Sequence, residues 1–375
     1  MMDLQQLRGG IDDIDAKILK LFMERMELCK GVADYKKLHD MPVFQGGREQ
    51  QVIDRIKELT ANKELETGTA ALFTAIMDIS KILQNRLILE TSPDYSAAVL
   101  PDFNSALRIG CQGTSGANSE AAAHALFGNR DIIFCRNFED VFRMVQSGEL
   151  DYGVIPVHNS TAGSVDSTYD LMAKYYVYIV GSVCIEINHC LAARADCSVA
   201  DIKKVYSHPQ ALAQCSDFLT INSLKTSEYG NTATAAAMVA ESAPEDRLAA
   251  VCSVECAESL GLNILARGIA DCSVNRTKFA CISREMQVSP DSDAITVMLK
   301  IPHTEGSLYR LLTKFYVNGM NLLRIESRPI RDGSFDVMFY LDFSGKISDP
   351  GVKATLRDLE QNLEYFRVLG TFKSE

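Results

Sequence analysis

Hydrophobic residues in the N-terminal part of the chain repeat at alternating intervals of three and four. The repeating positions are Leu4, Leu7, Ile11, Ile14, Ile18 and Leu21, followed by Arg25, Leu28, Val32 and Tyr35. This pattern indicates the heptad seam of a long α-helix, with an arginine at one seam position. A helix from about Asp3 to about His39 would be roughly 50 Å long, which exceeds the diameter of a small helical domain. We therefore predict that much of the seam packs against a second copy of the chain.

Two further helices are predicted in the same region. One begins near Gly47, after a break at Met41-Pro42, and the other runs from about Thr67 to about Glu90. The predicted inward-facing positions of the last helix are Leu72, Ile76, Ile79 and Leu83. Ser80 and Gln84 are one turn apart beside that stripe, so their side chains are neighbours. The first 90 residues are thus predicted to form an all-α module.

Cations lie on the apolar stripe of the first helix. Arg25 occupies a seam position, and Lys36 lies three turns further along the same face. A buried cation is costly unless an anion meets it, so this helix predicts a site for a small dicarboxylate, with Arg48 as a further cation. Arg8 lies about 25 Å from Arg25 along the helix and is therefore expected to serve the site of a partner chain. The alternative is a dimerisation module with ordinary surface charges.

After a segment rich in Ser and Pro at residues 91–106, short apolar runs alternate with helical patterns. Strands are predicted at 107–110, 132–134, 154–155, 177–187, 205–206 and 248–252, and helices at 121–126, 138–146, 168–172, 209–219 and 232–241. This alternation predicts largely parallel sheets covered by helices. About 180 residues suffice for two α/β lobes with a cleft between them.

Three polar clusters are candidates for the lining of that cleft. They are Asn159-Ser160-Thr161, which follows a short strand, Ser207-His208-Pro209-Gln210 with Gln214, and Asn275 to Phe279. Ser, Thr and Asn between a strand and a helix suit an anionic ligand, although they also serve as ordinary helix caps. The loop Gly113-Thr114-Ser115-Gly116 lacks the lysine of a P-loop, so nucleotide binding is a weak alternative.

The C-terminal pattern predicts a smaller α+β domain. Strands are predicted at 294–301, 322–330, 335–343 and 365–371, and helices at 306–316 and 352–363, with a turn at Arg331-Asp332-Gly333. The order βαββαβ is typical of a sheet with helices on one face.

Composition excludes several classes of function. The net charge of −11 argues against nucleic acid as a partner. The 11 cysteines are odd in number and include no CxxC pair, which favours reduced thiols in a cytoplasmic protein over disulfides or a metal site. No signal-peptide pattern opens the chain, and no apolar span of about 18 residues predicts a membrane helix.

The N-terminal region resembles the all-helical chorismate mutases. The matching residues are Leu7 to Asp12, Glu24 to Leu28, Lys36, Pro42-Val43 and Arg48-Glu49, with Ser80 and Gln84 at the positions of the family's last two active-site side chains. The resemblance implies that the partner's Arg8, Arg25 and Arg48 bind the substrate carboxylates. It also implies that Lys36 and Gln84 donate to the breaking ether oxygen and that Glu49 holds the substrate hydroxyl. The implied reaction, chorismate to prephenate, needs no nucleophile, metal or cofactor. Gln45 replaces an aspartate found in some members.

Residues 107–285 resemble the prephenate dehydratases. The matching pieces are Gly113 to Ala117, Pro156 to Val165 with Tyr169-Asp170-Leu171, Ser207 to Gln210 with Gln214, and Thr277 to Phe279. The resemblance implies that Thr277 is the candidate acid or the residue that polarises the departing ring hydroxyl, and that Asn159, Ser160, Thr161, Ser207 and Gln214 orient the substrate. His158 stands where the family usually carries glutamate, and Lys278 where arginine is common.

Residues 293–375 resemble the ACT domains, which are small-molecule regulatory modules. Gly306-Ser307-Leu308 and Glu326-Ser327-Arg328-Pro329 match the motifs with which dehydratases bind phenylalanine between paired domains. The alternative is a domain that serves dimerisation only.

Together these resemblances imply a multidomain, cytoplasmic, bifunctional chorismate mutase/prephenate dehydratase that L-phenylalanine inhibits. The implied domains are an all-α helical mutase module at 1–90, a linker at 91–106, a two-lobed α/β domain at 107–285 and an α+β (βαββαβ) ACT domain at 293–375. The resemblance implies a homodimer or tetramer without cofactor or metal. Two alternatives remain open: a dehydratase that prefers arogenate, and a non-catalytic amino-acid sensor, which His158 favours.

Overall fold

The computed structural model describes residues 3–88, 106–194, 198–272, 274–330 and 336–374. The linker predicted at 91–106, apart from its last residue, and the turn predicted at 331–333 lie outside these ranges. The helices are α1 Leu4–Leu38, α2 Gly46–Leu59, α3 Glu66–Ile88, α4 Asn118–Phe127, α5 Phe138–Ser147, α6 Asp166–Lys174, α7 Pro209–Ala213, α8 Ser216–Ile221, α9 Thr232–Glu241, α10 Val254–Ser259, α11 Ser307–Val317 and α12 Pro350–Asn362.

The strands alternate with these helices after residue 108. They are β1 Ile109–Gln112, β2 Ile132–Cys135, β3 Tyr152–Asn159, β4 Gly163–Ser164, β5 Tyr178–Glu186, β6 His189–Ala193, β7 Lys204–Ser207, β8 Thr226–Glu228, β9 Leu248–Ser253, β10 Asn263–Arg267, β11 Arg276–Ser283, β12 Ala294–Lys300, β13 Leu322–Pro329, β14 Val337–Ser344 and β15 Tyr365–Phe372. The described residues fall into two compact units.

The first unit contains α1 to α3 and most of the βαββαβ region. Its described residues lie within 1–97, 297–325 and 329–367. Strand order in its sheet is β13-β14-β12-β15, as the βαββαβ pattern requires. Helix α3 packs against α11 and α12, where Asn85 Nδ2 donates to Asp358 Oδ1 at 2.8 Å and Arg86 Nε donates to Asn318 Oδ1 at 2.9 Å. The sequence did not predict this packing between the N- and C-terminal regions.

Helix α1 has two apolar faces. The predicted seam is exposed in the single chain, with Leu4, Ile11 and Leu28 at 60%, 57% and 75% exposure. The face that packs against α3 is the neighbouring stripe, whose buried members are Met26, Ala33 and Lys36. The helix therefore buries one stripe within the chain and leaves the heptad seam for another surface.

The inward face predicted for α3 is partly wrong. Leu72 is 53% exposed, whereas Met77 and Ile82 are the apolar side chains that α3 buries. The face also buries Ser80 and Gln84, together with Asp78 and Asn85. Polar residues thus occupy much of the packed side of α3, and they need partners there because burial removes their water.

The second unit contains two sheets. One has the strand order β5-β11-β3-β1-β2 within this unit, with parallel β1 pairs to β2 and β3 and antiparallel β11 pairs to β3 and β5. The other has the order β10-β6-β9-β7-β8 and is also mixed. Helices cover both, and each sheet has its own hydrophobic core. This confirms the two α/β lobes, although the sheets are mixed and not largely parallel.

The strand predicted at 177–187 is confirmed as β5, but the sequence did not predict β6, which follows it and belongs to the other sheet. Two local predictions in this unit are wrong. The helix predicted at 209–219 is two short helices, α7 and α8, with Gln214 and Cys215 between them. Strand β3 does not end at Pro156 but continues to Asn159, because a register shift between Lys278 and Phe279 of β11 accommodates the proline.

Among the described residues, none of the helices combines the length and apolarity needed to cross a membrane. The same residues include no group of three or more His, Cys, Asp or Glu side chains that could hold a metal ion.

Candidate active sites

The end of β3 and the start of β11 place two polar side chains side by side. Asn159 and Thr277 are cross-strand partners, and Asn159 Nδ2 donates to Thr277 Oγ1 at 2.9 Å. Both are almost fully buried, at 5% and 9% exposure. Because the Thr277 hydroxyl accepts this bond, its own proton remains available to a second acceptor.

Asn159 also organises the turn that follows β3. Its Oδ1 accepts from the backbone N–H of Thr161 at 3.1 Å and of Ala162 at 2.9 Å, as in an Asx turn. The Thr161 hydroxyl donates to the same oxygen at 2.7 Å. Ser160 is tied to β11 by its backbone, and its Oγ accepts from Arg276 N at 2.9 Å. The turn is therefore held rigidly against the strand that carries Thr277.

Gln214 extends the network from the other lobe. Its Nε2 donates to Thr161 Oγ1 at 2.7 Å, while its Oε1 accepts from Asn275 Nδ2 at 3.1 Å. His189 Nε2 lies 3.1 Å from the same Oε1 and must carry the proton, since that oxygen can only accept. Burial lowers the pKa of His189, and the Gln214 hydrogen bond offsets only part of this, so the imidazole is neutral near pH 7.

Four side chains of this network, Asn159, His189, Gln214 and Thr277, line a cavity of about 450 Å³ in the second unit. The first turns of α4, α6, α7 and α9 also line it, through residues such as Asn118, Ser167, Gln210 and Thr232. Helix N-termini present free N–H groups and a partial positive charge. None of the described residues that line the cavity is a lysine or an arginine. The cavity can therefore attract carboxylates through amides and helix ends without a formal cation.

Three of the predicted ligands, Ser160, Thr161 and Ser207, are not among the described residues that line this cavity. Ser160 and Thr161 are exposed on the turn that follows β3. Ser207 is fully buried, and its hydroxyl donates to Val251 O at 2.6 Å in the neighbouring strand. The loop at 113–116 packs tightly: a Cβ on Gly116, whose φ is +82°, would lie 2.8 Å from the Cys256 backbone. The Gly116 N–H donates to Glu120 Oε2 at 2.6 Å, so that amide is already taken by a carboxylate.

The second candidate site lies on the N-terminal helices. Lys36 is 8% exposed, and its Nζ donates to Val43 O at 2.7 Å. Burial lowers the pKa of Lys36, and the charge of nearby Glu49 opposes that effect. On α3, Gln84 Nε2 donates to Ser80 Oγ at 3.0 Å, whereas Gln84 Oε1 is buried with no hydrogen-bond partner among the described residues. An unpaired buried amide oxygen costs about 1–3 kcal/mol, and a ligand can relieve that cost.

The three arginines predicted for this site contact neighbours on their own helices or face solvent. Arg25 Nη1 donates to Cys29 Sγ at 3.8 Å, and Arg48 Nη1 donates to Gln51 Oε1 at 3.5 Å. Arg8 is exposed in the single chain, on the helix that carries the exposed seam.

Two family models match the sequence, chorismate mutase type II over residues 7–85 and prephenate dehydratase over residues 109–287. A bifunctional chorismate mutase/prephenate dehydratase of Aquifex aeolicus (strain VF5) is 32% identical over 375 residues, 99% of this chain and 98% of the relative. The chain belongs to this bifunctional family.

Further relatives match the dehydratase part. Arogenate dehydratase/prephenate dehydratase 2, chloroplastic, of Arabidopsis thaliana is 35% identical over 309 residues, 79% of this chain and 81% of the relative. The crystal structure of the prephenate dehydratase of Arthrobacter aurescens in complex with L-Phe matches this fold with a TM-score of 0.66 and 29% sequence identity. The match covers 72% of this chain and 90% of that one.

The two departures from the dehydratase pattern form one pair. His158 and Lys278 are directly opposite each other on β3 and β11. Each is adjacent in sequence to a residue that lines the cavity, Asn159 or Thr277, so each points to the reverse face of the sheet. On that face, Lys278 Nζ lies 4.6 Å from the centroid of the Phe372 ring. Both departures thus lie on the face of the sheet that is turned away from the cavity.

The predicted phenylalanine motifs occupy a helix start and a strand. Gly306, with φ +75°, is the N-cap of α11, and Ser307 Oγ lies 2.7 Å from Thr304 Oγ1. On β13, Ser327 and Pro329 lie on the exposed side. Glu326 accepts a hydrogen bond from Ser164 Oγ, and Arg328 forms ion pairs with Asp166 at 2.5 Å and Asp170 at 3.4 Å. These last partners belong to β4 and α6, next to the turn that Asn159 organises.

Sequence reasoning missed several polar groups of the dehydratase cavity, among them Asn118, Asn231 and His189. The two asparagines begin or cap helices and read as ordinary caps. His189 is the first residue of an apolar strand, where the sequence pattern of a lone histidine indicates a core residue. Its hydrogen bond to Gln214 joins positions 25 residues apart, so no local motif predicts it.

Proposed function

We propose that this chain converts chorismate to prephenate and prephenate to phenylpyruvate, and that L-phenylalanine inhibits it. The observation that supports it most is the second unit's cavity, where Thr277 and Asn159 lie among four helix N-termini. Its volume of about 450 Å³ falls in the range of small-ligand pockets.

In the dehydratase step, prephenate loses its ring hydroxyl as water and its ring carboxylate as carbon dioxide. The departing hydroxyl needs a proton, and the resulting aromatic ring drives the cleavage. Thr277 fits the role of donor because Asn159 fixes its oxygen while its proton stays free. Helix ends and the amide of Gln214 would hold the two carboxylates at fixed distances. This positioning would keep the departing hydroxyl next to Thr277.

The mutase step needs positioning and charge stabilisation only. Negative charge grows on the ether oxygen as its bond to the ring carbon breaks, and Lys36 and Gln84 are proposed to donate to it. If the Gln84 amide is rotated by about 180°, Ser80 Oγ can donate to Gln84 Oε1. The Nε2 group then occupies the position in which Oε1 has no hydrogen-bond partner among the described residues. That orientation supplies the donor that the reaction requires.

A dimer would complete the mutase site. The exposed seam of α1 is long and apolar, and such a seam is stable in water only against another apolar surface. Pairing of two α1 helices would bring the partner's Arg8 towards the Arg25 of this chain, with Arg48 as the third carboxylate ligand. Whether dimers pair further into tetramers stays a prediction.

Phenylalanine would act through the contact between β13 and α6. Glu326 and Arg328 hold Ser164, Asp166 and Asp170, which follow the turn at 160–162 that carries Thr161. An effector that rearranges β13 would shift α6 and so alter the cavity, provided that it binds one arrangement more tightly. Gly306, Ser307, Leu308, Glu326, Ser327, Arg328 and Pro329 stay the proposed ligands.

The proposed domains are a mutase at 1–90, a linker at 91–106, a dehydratase at 107–285 and an ACT domain at 293–375. A cytoplasmic location stays a prediction.

The decisive experiment is a steady-state assay with chorismate in which prephenate and phenylpyruvate are followed separately, with and without L-phenylalanine. We expect both products, and less phenylpyruvate with the effector. Arg25→Ala should abolish prephenate formation while the chain still converts added prephenate. Binding of ligands without turnover would mean an amino-acid sensor instead.

Arogenate is a second candidate substrate, favoured by the 35% identity to the Arabidopsis thaliana arogenate dehydratase/prephenate dehydratase 2. It differs from prephenate by an amine in place of the side-chain keto group. Comparison of kcat/KM for the two substrates decides between them, and a higher value for arogenate would overturn the preference for prephenate.

A further inference from the structure

Four charged side chains from three helices form one closed group in the first unit. They are Glu49 of α2, Asp78 and Lys81 of α3, and Arg310 of α11, called here the Glu49–Arg310 cluster. Lys81 Nζ lies 2.8 Å from Asp78 Oδ1 and 3.0 Å from Glu49 Oε2. Arg310 donates through Nε and Nη2 to the two Asp78 oxygens, each at 3.2 Å, and its Nη2 lies 3.6 Å from Glu49 Oε2. Two cations thus balance two carboxylates.

The cluster depends on Arg310 because two carboxylates otherwise compete for one lysine. The Asp78 side chain is 3% exposed, against 20% for Glu49. An unpaired carboxylate costs more free energy the more deeply it is buried. Without Arg310, Lys81 would therefore stay with Asp78, and Glu49 would lose its fixed position.

Glu49 links the cluster to the mutase site. It is the proposed ligand of the substrate hydroxyl, and its charge also favours the protonated form of Lys36. Arg310 lies outside the matched mutase region, which ends at residue 85. It stands on α11, one turn after the predicted phenylalanine motif, and its backbone N–H donates to Gly306 O at 2.9 Å.

We infer that Arg310 is a positioning residue of the mutase, through which the C-terminal region holds Glu49 in place for the substrate. This inference rests on the proposed mutase function and on the role of Glu49 in it. It implies that the mutase site is complete only when α11 is docked on α2 and α3.

The test is Arg310→Met in the full chain, assayed with chorismate. We expect KM for chorismate to rise about tenfold with kcat changed less than about threefold, because Glu49 contributes binding in ground and transition state alike. Conversion of added prephenate should stay within about twofold of wild type. Arg310→Lys should recover part of the loss, since it restores the charge but not the two parallel hydrogen bonds.

Arg86→Met is the matched control. Arg86 also bridges α3 and α11, through Asn318, but has no contact with the cluster among the described residues. Its loss should leave the mutase KM within about twofold. A variant that disturbs the helix packing in general would raise KM at both positions.

Glu49→Gln and the double variant Glu49→Gln/Arg310→Met complete the design. If Arg310 acts through Glu49, the double variant loses no more than Glu49→Gln alone. Three results would each overturn the inference. They are additive losses in the double variant, a normal KM in Arg310→Met, and a parallel loss of mutase and dehydratase activity in both Arg310→Met and Arg310→Lys. A wild-type chain without mutase activity would overturn the proposed function and this inference with it.

Discussion

The dehydratase cavity and the mutase site differ in how much of each exists in one copy of the chain. In the cavity, Asn159, Gln214 and Thr277 come from β3, the α7–α8 junction and β11, and hydrogen bonds already join them through Thr161. In the mutase site, Ser80 and Gln84 are paired, but Arg8 and the α1 seam face outwards. The first site is held by strand pairing within the chain, whereas the second includes a predicted arginine and an apolar seam that are exposed in the single chain.

This difference follows from where the backbone hydrogen bonds go. Strands β3 and β11 pair residue by residue, which fixes Asn159 against Thr277 to within one hydrogen bond. A helix satisfies its backbone internally, so its side chains are positioned only by what packs on its faces. Helix α1 uses one face within the chain and leaves the other open, and the fixed parts of the mutase site are those that face α3.

Removal of the Thr277 hydroxyl should lower dehydratase activity more than any other change proposed for this cavity. Thr277→Val keeps the shape but removes the proton donor, so we expect kcat for phenylpyruvate formation from prephenate to fall roughly 10³-fold. Prephenate formation from chorismate should stay at the wild-type rate. Thr277→Ser should restore much of the activity, and a valine variant that kept more than about a tenth of wild-type kcat would show that another group supplies the proton.

The pH dependence of the mutase tests the electrostatics of the helical site. Burial lowers the pKa of Lys36, and a lysine must be protonated to donate, so activity is present below that pKa and lost as pH rises through it. The rate should therefore fall about tenfold per pH unit beyond a midpoint below that of an ordinary lysine. Glu49→Gln should move the midpoint lower still, because the Glu49 charge raises the pKa of Lys36.

Dehydratase turnover of added prephenate, measured over the same pH range, separates this titration from unfolding. An upward movement of the midpoint in Glu49→Gln would contradict the assigned electrostatics.

The same contrast explains which features were predictable from the sequence. Residues that meet through short-range elements, such as Asn159 with Thr161 or Ser80 with Gln84, stand out as local motifs. The pairing of Arg310 with Asp78 joins positions 232 residues apart and leaves no local signal. Strand β6 was missed because it follows β5 after a short break within one apolar run, although the two strands belong to different sheets.

The side of the sheet on which a side chain lies determines whether its substitution can affect the reaction in the cavity. His158 and Lys278 depart from the pattern expected of the family, yet both point away from the cavity that their neighbours Asn159 and Thr277 line. His158→Ala should therefore leave KM for prephenate within about twofold, the smallest change expected in this cavity. Lys278→Ala serves as the matched variant across the strand pair. A tenfold loss of kcat/KM in His158→Ala alone would mean that the reverse face of β3 governs the cavity, and that strand pairing fixes less of this site than its hydrogen bonds indicate.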